Sequence, residues 1–347
     1  VVVSTVIVAF CRLEKSELDE LGRWARTLAV VVAILSAAVL ARPTLAYLRT
    51  GTGLQGIFSH PQTLGVFLAP FATWFTIELV LEQRGSMIWK LLLAVLVWGV
   101  MILTEARTAA VAVVLSVAVA IALQLWHRRL PGQAGPMRVA TFLLIGLMGA
   151  VAAGMMSSHL SERVVSFALK RGESSIGGAF YESRGWGIEQ QWKNFLARPL
   201  TGWGFGVYPG GQFPEGVVRF AGIPISAPVE KGFFPTAVLE ETGLIGAAGF
   251  LAVLIVLVRR AASSGSAVAL GLVVTGFAVN LGEAVIVSPG GIGLHVWLVI
   301  GFAVAAGGAQ IRVKPLTRPE AMSESASARY PNVLRDPVPT PDTSLLR

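Results

Sequence analysis

Long apolar runs recur along almost the whole chain, and they constrain the fold more than any other feature. A helix needs about 20 residues to cross the hydrocarbon core of a bilayer. Because the first run begins without Met or a charged leader, we interpret it as the end of a truncated helix. The runs predict an all-α polytopic membrane protein of about nine transmembrane helices, the first partial, at residues 1–10, 27–41, 62–82, 88–103, 108–126, 139–156, 234–258, 267–287 and 292–308.

Composition agrees with a membrane protein and argues against several soluble classes. Charged residues make up 14% of the 347 residues, whereas soluble domains carry about 25%. We therefore attribute the net charge of +8 to basic residues that set the orientation of the chain in the membrane, and we expect no nucleic-acid partner. The single Cys11 excludes an internal disulfide, and the four histidines have no metal-ligand spacing, so we expect neither a metal site nor a cofactor.

Basic residues predict the orientation of the chain. They concentrate in alternate connections, and the positive-inside rule assigns those connections to the cytoplasm. Residues 157–233, the only long loop, are then periplasmic, and residues 1–313 form the transmembrane domain including that loop. The Pro-, Ser- and charge-rich residues 314–347 are predicted to be a disordered cytoplasmic tail. The predicted cytoplasmic segments are 11–26, 83–90, 127–138, 259–266 and the end of the chain, where the first basic residues are Arg312 and Lys314.

The long loop contains one helical segment with a candidate anion site. Residues 185–197 place aromatic and aliphatic side chains on one face and stop before Pro199. This pattern is typical of an amphipathic helix lying flat on the outer leaflet. Arg184 precedes the helix start. An Arg side chain beside a helix N-terminus is a suitable site for pyrophosphate.

Two shorter motifs begin membrane helices on the same predicted face. His60 precedes Pro61 in "GIFSHPQTLG" and is either a helix cap or a reactive group. Glu105 and Arg107 occupy the turn in "LTEARTAAV". Arg107 either reaches the membrane interface as a snorkelling side chain or points into an outer cavity to bind an anion.

A pair of carboxylates marks the helix predicted at 234–258. Glu240 and Glu241 lie about two turns into that helix, and intramembrane carboxylates are functional candidates. Neighbouring helical positions are about 100° apart, so the two cannot point the same way. We expect one to face a cavity and the other to pair with a base such as Lys231 or Arg184.

Four motifs occur in an order that resembles a known family. They are "GIFSHPQTLGVFLAP", "LTEARTAAVAVVLS", "WKNFLARPLTGWGFG" and "LEETGLIGAAGF", and they cover roughly residues 50–260. With these motifs in this order, the chain resembles members of the O-antigen ligase / O-antigen polymerase superfamily of bacterial inner-membrane proteins. The resemblance implies transfer of a glycan from an undecaprenyl-pyrophosphate carrier to an acceptor glycan or glycolipid on the periplasmic face, without a metal.

The resemblance also implies site residues. Outer-loop arginines hold the pyrophosphate in the ligases, which points to Arg184, Arg107 and Arg163. A loop histidine shortly before the corresponding helix start activates the acceptor hydroxyl in the ligases, but the stretch "SAPVEKGFFPTAVLEETG" of this chain contains none. Because Glu230 and Lys231 lie there instead, a polymerase for exopolysaccharide or another surface glycan is favoured over a lipopolysaccharide ligase. The catalytic candidates are Glu230, Lys231, Glu240 and His60.

Two other functions are compatible with a chain of this composition. A transporter or flippase of the same lipid-linked oligosaccharide would show internal repeats or charged broken helices near the midplane. No clear repeat is visible, and the charges are predicted to cluster at the outer face, which disfavours transport. A non-catalytic scaffold would leave the aromatic loop and its charges unexplained.

Overall fold

Helices make up nearly all of the structure, a computed structural model. It describes residues 2–49, 51, 53–81, 86–127, 185–204, 207, 209, 219–220, 223–224, 232–286 and 291–313. The helix predicted at 139–156 and the tail 314–347 lie outside the described residues. So do four predicted site residues: Arg163, Arg184, Glu230 and Lys231.

Ten helices and one small ladder are described. The two-residue strands β1 (Arg219–Phe220) and β2 (Ile223–Pro224) pair antiparallel, with Arg219 opposite Pro224. Short 3-10 turns at Val39–Ala41 and Val279–Leu281 extend two of the helices. The helices are α1 (Val2–Arg12), α2 (Lys15–Ala38), α3 (Pro43–Ala46), α4 (Pro61–Leu81), α5 (Met87–Leu103), α6 (Arg107–His127), α7 (Trp186–Ala197), α8 (Phe234–Ser263), α9 (Ala267–Ala278) and α10 (Gly291–Val313).

Five of the described helical segments are long and apolar enough to cross a membrane. This confirms the prediction of an all-helical protein with several helices able to span a membrane. Two further apolar helices, Met87–Leu103 and Ala267–Leu281, are shorter than a full span. The five candidate spans are Lys15–Ala41, Pro61–Leu81, Arg107–Gln124, Phe234–Ser263 and Gly291–Ala309.

The core of the bundle surrounds α4, which packs against α5, α6 and α9. Buried small residues permit these close approaches, as expected when apolar helices associate in lipid. A Cβ atom added at Gly271 of α9 would lie 2.4 Å from Cδ1 of Ile77 on α4. Thr73 and Thr275 also share a buried hydrogen bond of 2.7 Å between the same two helices.

The helix predicted at 267–287 is wrong beyond Leu281. The α-helix ends at Ala278, a 3-10 turn follows, and residues 282–286 leave the helical path. The Asn280 side chain stabilises the non-helical path, because its Nδ2 donates to the Gly276 carbonyl and its Oδ1 accepts from the Ile286 N–H, both at 2.7 Å. The apolar residues after Glu283 gave no sign of this break.

The helix predicted at 234–258 is also wrong as one straight element. Gly243 has φ 62° and ψ −168°, which divides α8 into α8a (residues 234–242) and α8b (residues 244–263). The ring centroids of Phe234 and Phe250 are 4.8 Å apart. On a continuous helix these two residues would be about 24 Å apart. The chain therefore reverses at Gly243, and α8b alone has the length of about 20 residues that a membrane span requires.

Candidate active site

Several helix ends and irregular segments meet at one end of the bundle, which we call the His60 end. The Leu54 N–H donates to the Leu103 carbonyl at 2.8 Å, which joins the segment before α4 to the end of α5. A Cβ at Gly65 would lie 2.2 Å from that of Ala106, just before α6. A Cβ at Gly282 would lie 2.0 Å from the Thr108 hydroxyl, so the segment after α9 meets the start of α6.

A small polar cavity opens at this end and contains one predicted site residue. His60 and Glu283 both line it, and its volume is about 160 Å³. Typical small-molecule pockets have about 300–1,000 Å³, so this cavity fits only the reactive part of a larger ligand. The remaining lining residues are Gln62, Thr63, Val66, Val285 and Ile292. We call it the His60–Glu283 cavity.

Glu283 is a candidate that the sequence analysis missed. Only 6% of its surface is exposed, and it lies on the non-helical segment 282–286. Irregular backbone among membrane helices occurs where protein buries it or where it lines a cavity. Here Asn280 and Trp297 stabilise the segment, the latter by donating Nε1–H to the Ile286 carbonyl at 2.7 Å. The fold therefore holds a carboxylate rigidly at a polar cavity.

His60 acts as a helix cap, one of the two interpretations that the sequence left open. Its Nδ1 accepts a hydrogen bond of 3.2 Å from the Gln62 N–H in the first turn of α4. A nitrogen that accepts a hydrogen bond carries no proton, so the neutral ring has its proton on Nε2. In this tautomer His60 is a hydrogen-bond donor through Nε2. Among the described residues that line the cavity, Glu283 carries the one carboxylate.

Arg107 lies beside the cavity without lining it. It is the first residue of α6, it is half-buried, and Glu105 interacts with it electrostatically. Glu105 has φ 56°, a left-handed conformation that is uncommon for residues other than glycine. The turn is stabilised by Thr104, whose hydroxyl accepts from the Ala106 N–H at 3.1 Å.

Glu240 belongs to a second polar cluster, formed by α7 and α8a. It is 3% exposed, and the Asn194 Nδ2 donates to its Oε1 at 2.6 Å. The Thr236 hydroxyl donates to the amide oxygen of Gln191 in the same interface. Glu240 does not line the His60–Glu283 cavity. The structure thus brings His60 together with Glu283 and places Glu240 on the α7 interface.

The segment after α7 packs against the break in α8 and forms hydrogen bonds with the backbone groups of α8 at that break. The Trp203 and Gly204 N–H groups donate to the carbonyls of Glu240 and Glu241 at 3.0 and 2.9 Å. In the opposite direction, the Leu244 N–H donates to the Pro199 carbonyl at 2.8 Å. A helix end leaves such groups without intrahelical partners. The exchange therefore supplies both α8a and α8b with caps.

Two glycines make this close approach possible. A Cβ at Gly202 would lie 2.5 Å from the Glu241 backbone, and a Cβ at Gly243 would lie 2.3 Å from the Leu200 carbonyl oxygen. These glycines belong to "PLTGWGFG" and "LEETGLIG", the third and fourth motifs of the family resemblance. The two motifs therefore interlock, which gives their glycines a structural role.

Partly buried charges also lie far from the His60 end, contrary to the predicted clustering at one face. Arg26 Nη1 and Glu78 Oε1 form an ion pair of 2.9 Å. Glu78 lies about 25 Å along α4 from the helix start. The argument against transport concerned charges near the midplane of the membrane, and this pair lies within one turn of the end of α4, so it leaves that argument unchanged.

No family model matches the chain, and no curated protein matches it.

Proposed function

We propose that the protein transfers a glycan from an undecaprenyl-pyrophosphate carrier to an acceptor sugar at its His60 end, as a ligase or polymerase of surface glycans. The observation that carries this proposal is that Glu283, a buried acidic residue, lines a polar cavity together with His60. Intramembrane carboxylates at a cavity are expensive to maintain and mark functional sites. The order of the four motifs supports the same activity.

The proposed reaction makes one bond and breaks one bond. The acceptor hydroxyl attacks the anomeric carbon of the donor glycan, and the bond from that carbon to the pyrophosphate oxygen breaks. Glu283 takes the hydroxyl proton as general base, and the Nε2–H of His60 orients the hydroxyl oxygen. Undecaprenyl pyrophosphate leaves with the bonding electron pair, so cationic groups that stabilise its charge accelerate the step.

Arginines are the proposed partners of the leaving pyrophosphate. Arg184 precedes α7, and a helix N-terminus next to a guanidinium favours phosphate oxygens. Arg107 begins α6 beside the cavity, and Arg163 is a further candidate from the same predicted loop. Glu230 and Lys231 stay candidates by sequence position, whereas the Asn194 contact of Glu240 favours a positioning role.

Arg184→Ala tests the pyrophosphate assignment. In liposomes that contain the purified protein and an undecaprenyl-pyrophosphate-linked repeat unit, we expect this variant to lower the transfer rate by about 100-fold, the usual cost of losing one donor to a developing anion. Arg259→Ala is the matched control, because Arg259 is exposed near the far end of α8b. A rate within threefold of the wild type for Arg184→Ala would remove Arg184 from the mechanism.

We also propose the nine-helix topology in the bacterial inner membrane, with residues 157–233 in the periplasm and the tail in the cytoplasm. The concentration of basic residues in alternate connections supports it. The reversal at Gly243 is compatible with this alternation of sides. In the proposed topology α8a leads the chain back to the periplasmic side, and α8b crosses the membrane from there.

Thiol labelling tests the orientation. In a Cys11→Ser background, a membrane-impermeant maleimide should label Gly210→Cys in intact spheroplasts. It should label Ser263→Cys, exposed at the opposite end of α8b, only after permeabilisation. The opposite labelling pattern would invert the proposed topology and place the His60 end in the cytoplasm.

A further inference from the structure

A second polar pocket lies at the far end of α4 and is independent of the proposed glycan site. It has a volume of about 300 Å³ and lies between α2, α4, α9 and α10. Its charged lining residues are Arg26, Glu78 and Asp19. A charged pocket among membrane helices is a functional-site candidate by default.

Hydrogen bonds hold the Arg26 and Glu78 side chains in place, but each side chain keeps one polar atom that makes no hydrogen bond within the described residues. Arg26 donates Nε–H to the Gly22 carbonyl and Nη1–H to Glu78 Oε1, and Glu78 Oε1 also accepts from Trp74 Nε1 at 2.7 Å. Within the part of the chain that the structure describes, neither Arg26 Nη2 nor Glu78 Oε2 has a hydrogen bond. The side chains of Arg26 and Glu78 are 35% and 12% exposed. The pocket therefore offers one donor group and one acceptor group to a ligand.

A larger apolar cavity adjoins the polar pocket. It has a volume of about 400 Å³ and shares Trp74, Leu272 and Phe302 with the pocket. Trp74 stacks on Phe302 with ring centroids 5.4 Å apart, so this ring pair separates the two spaces. Every described side chain that lines the cavity is apolar except His295.

One side of this apolar cavity is bordered by exposed apolar residues. Trp24 and Leu28 of α2 line it and are 66% and 55% exposed. In a membrane helix such residues face lipid, so hydrocarbon chains have access to the cavity from the bilayer. A polar pocket that adjoins a lipid-accessible apolar cavity has the dimensions and polarity of a single amphiphile.

We propose that the two spaces together bind one zwitterionic phospholipid with a primary ammonium group. Its phosphate accepts from Arg26 Nη2, its ammonium donates to Glu78 Oε2, and one acyl chain enters the apolar cavity. Two acidic side chains and one basic side chain line the pocket within the described residues, and Lys90 Nζ donates to the Glu78 carbonyl at 3.3 Å beside it. These charges balance, so a zwitterionic headgroup matches the pocket better than a net anionic one. A trimethylated headgroup is disfavoured because it has no N–H to donate.

Lipid binding to the purified protein in detergent, measured by native mass spectrometry, tests the proposal. The probes are phosphatidylethanolamine, phosphatidylglycerol and phosphatidylcholine with identical acyl chains. We expect phosphatidylethanolamine to bind at least tenfold more tightly than phosphatidylglycerol. Glu78→Gln, which keeps an oxygen acceptor for Trp74, should reduce this preference to threefold or less. Equal affinities of the three lipids for the wild-type protein would overturn the proposal without any variant.

Two further binding measurements test the polar pocket and the apolar cavity separately. Arg26→Gln should weaken phosphatidylethanolamine binding about tenfold, whereas Arg23→Gln, one turn earlier and exposed, should leave it unchanged. Equal effects of the two substitutions would indicate non-specific attraction of lipid. Water-soluble glycerophosphoethanolamine should not compete at millimolar concentration, and effective competition would overturn the role of the apolar cavity. None of these binding results depends on glycan transfer.

Discussion

Gly243→Ala is expected to destabilise the protein by about 3 kcal/mol or more. The φ of 62° and ψ of −168° at this position belong to a region that essentially only glycine adopts. The added Cβ would also lie 2.3 Å from the Leu200 carbonyl oxygen, which is backbone and cannot rotate away. Thermal unfolding of the purified protein in detergent measures the effect, which we expect as a large drop in Tm.

Gly249→Ala provides the matched control within the same helix. A Cβ at Gly249 would meet nothing within 4 Å, and alanine has a higher helix propensity than glycine by about 1 kcal/mol. We therefore expect an unchanged or slightly raised Tm for this variant. If Gly243→Ala unfolds at the same temperature as Gly249→Ala, the chain does not reverse at Gly243, and the interlocking of residues 199–204 with α8 is wrong.

Glu283→Gln should abolish most of the transfer activity while leaving the fold intact. Loss of a general base costs about 10²–10⁴-fold in rate, and the amide keeps the size of the side chain and one acceptor oxygen. The rate of glycan transfer in liposomes measures this effect, with Tm as the test of folding. His60→Ala should lower the rate less, because His60 is proposed to orient the acceptor and not to take its proton.

Glu189→Gln is the appropriate comparison for Glu283→Gln. Glu189 is a half-exposed carboxylate on α7, paired with Lys193 at 2.7 Å, and surface pairs of this kind contribute little. Its substitution should leave the transfer rate unchanged. If Glu283→Gln keeps more than a tenth of the wild-type rate, the proton acceptor lies elsewhere, and Glu230 becomes the next candidate.

Most membrane helices of the bundle could be predicted from the sequence because each contains an apolar run of recognisable length. The start of α2 was predicted wrongly, because this helix begins at Lys15, within the charged segment 11–26 that was predicted to be a connection. The amphipathic segment was predicted at 185–197, and α7 is observed at Trp186–Ala197. The apolar face of α7 is partly buried and partly exposed, which the sequence periodicity does not show. Phe195 is buried, whereas Trp192 and Leu196 stay exposed. An exposed apolar pair is compatible with the proposed position on the outer leaflet.

The reversal at Gly243 could not be predicted, because it depends on residues 199–204, which are distant in sequence. Glycine within an apolar run is also compatible with a straight membrane helix. Glu283 was missed for a related reason. It lies in a run that is otherwise apolar, and only the hydrogen bonds of Asn280 show that the chain has left the helix. The motif before Pro61 identified His60, and the charged turn identified Arg107. The residues that surround these two side chains could be found only from the tertiary structure.

The product formed by the purified wild-type protein tests the central claim most directly. Liposomes with the protein and a defined undecaprenyl-pyrophosphate-linked repeat unit should, without any nucleotide, yield glycans whose masses increase by whole repeat units. One undecaprenyl pyrophosphate should be released for each new glycosidic bond. If the lipid-linked unit instead crosses to the opposite leaflet and its mass distribution stays unchanged, the protein is a transporter and the transfer mechanism is wrong.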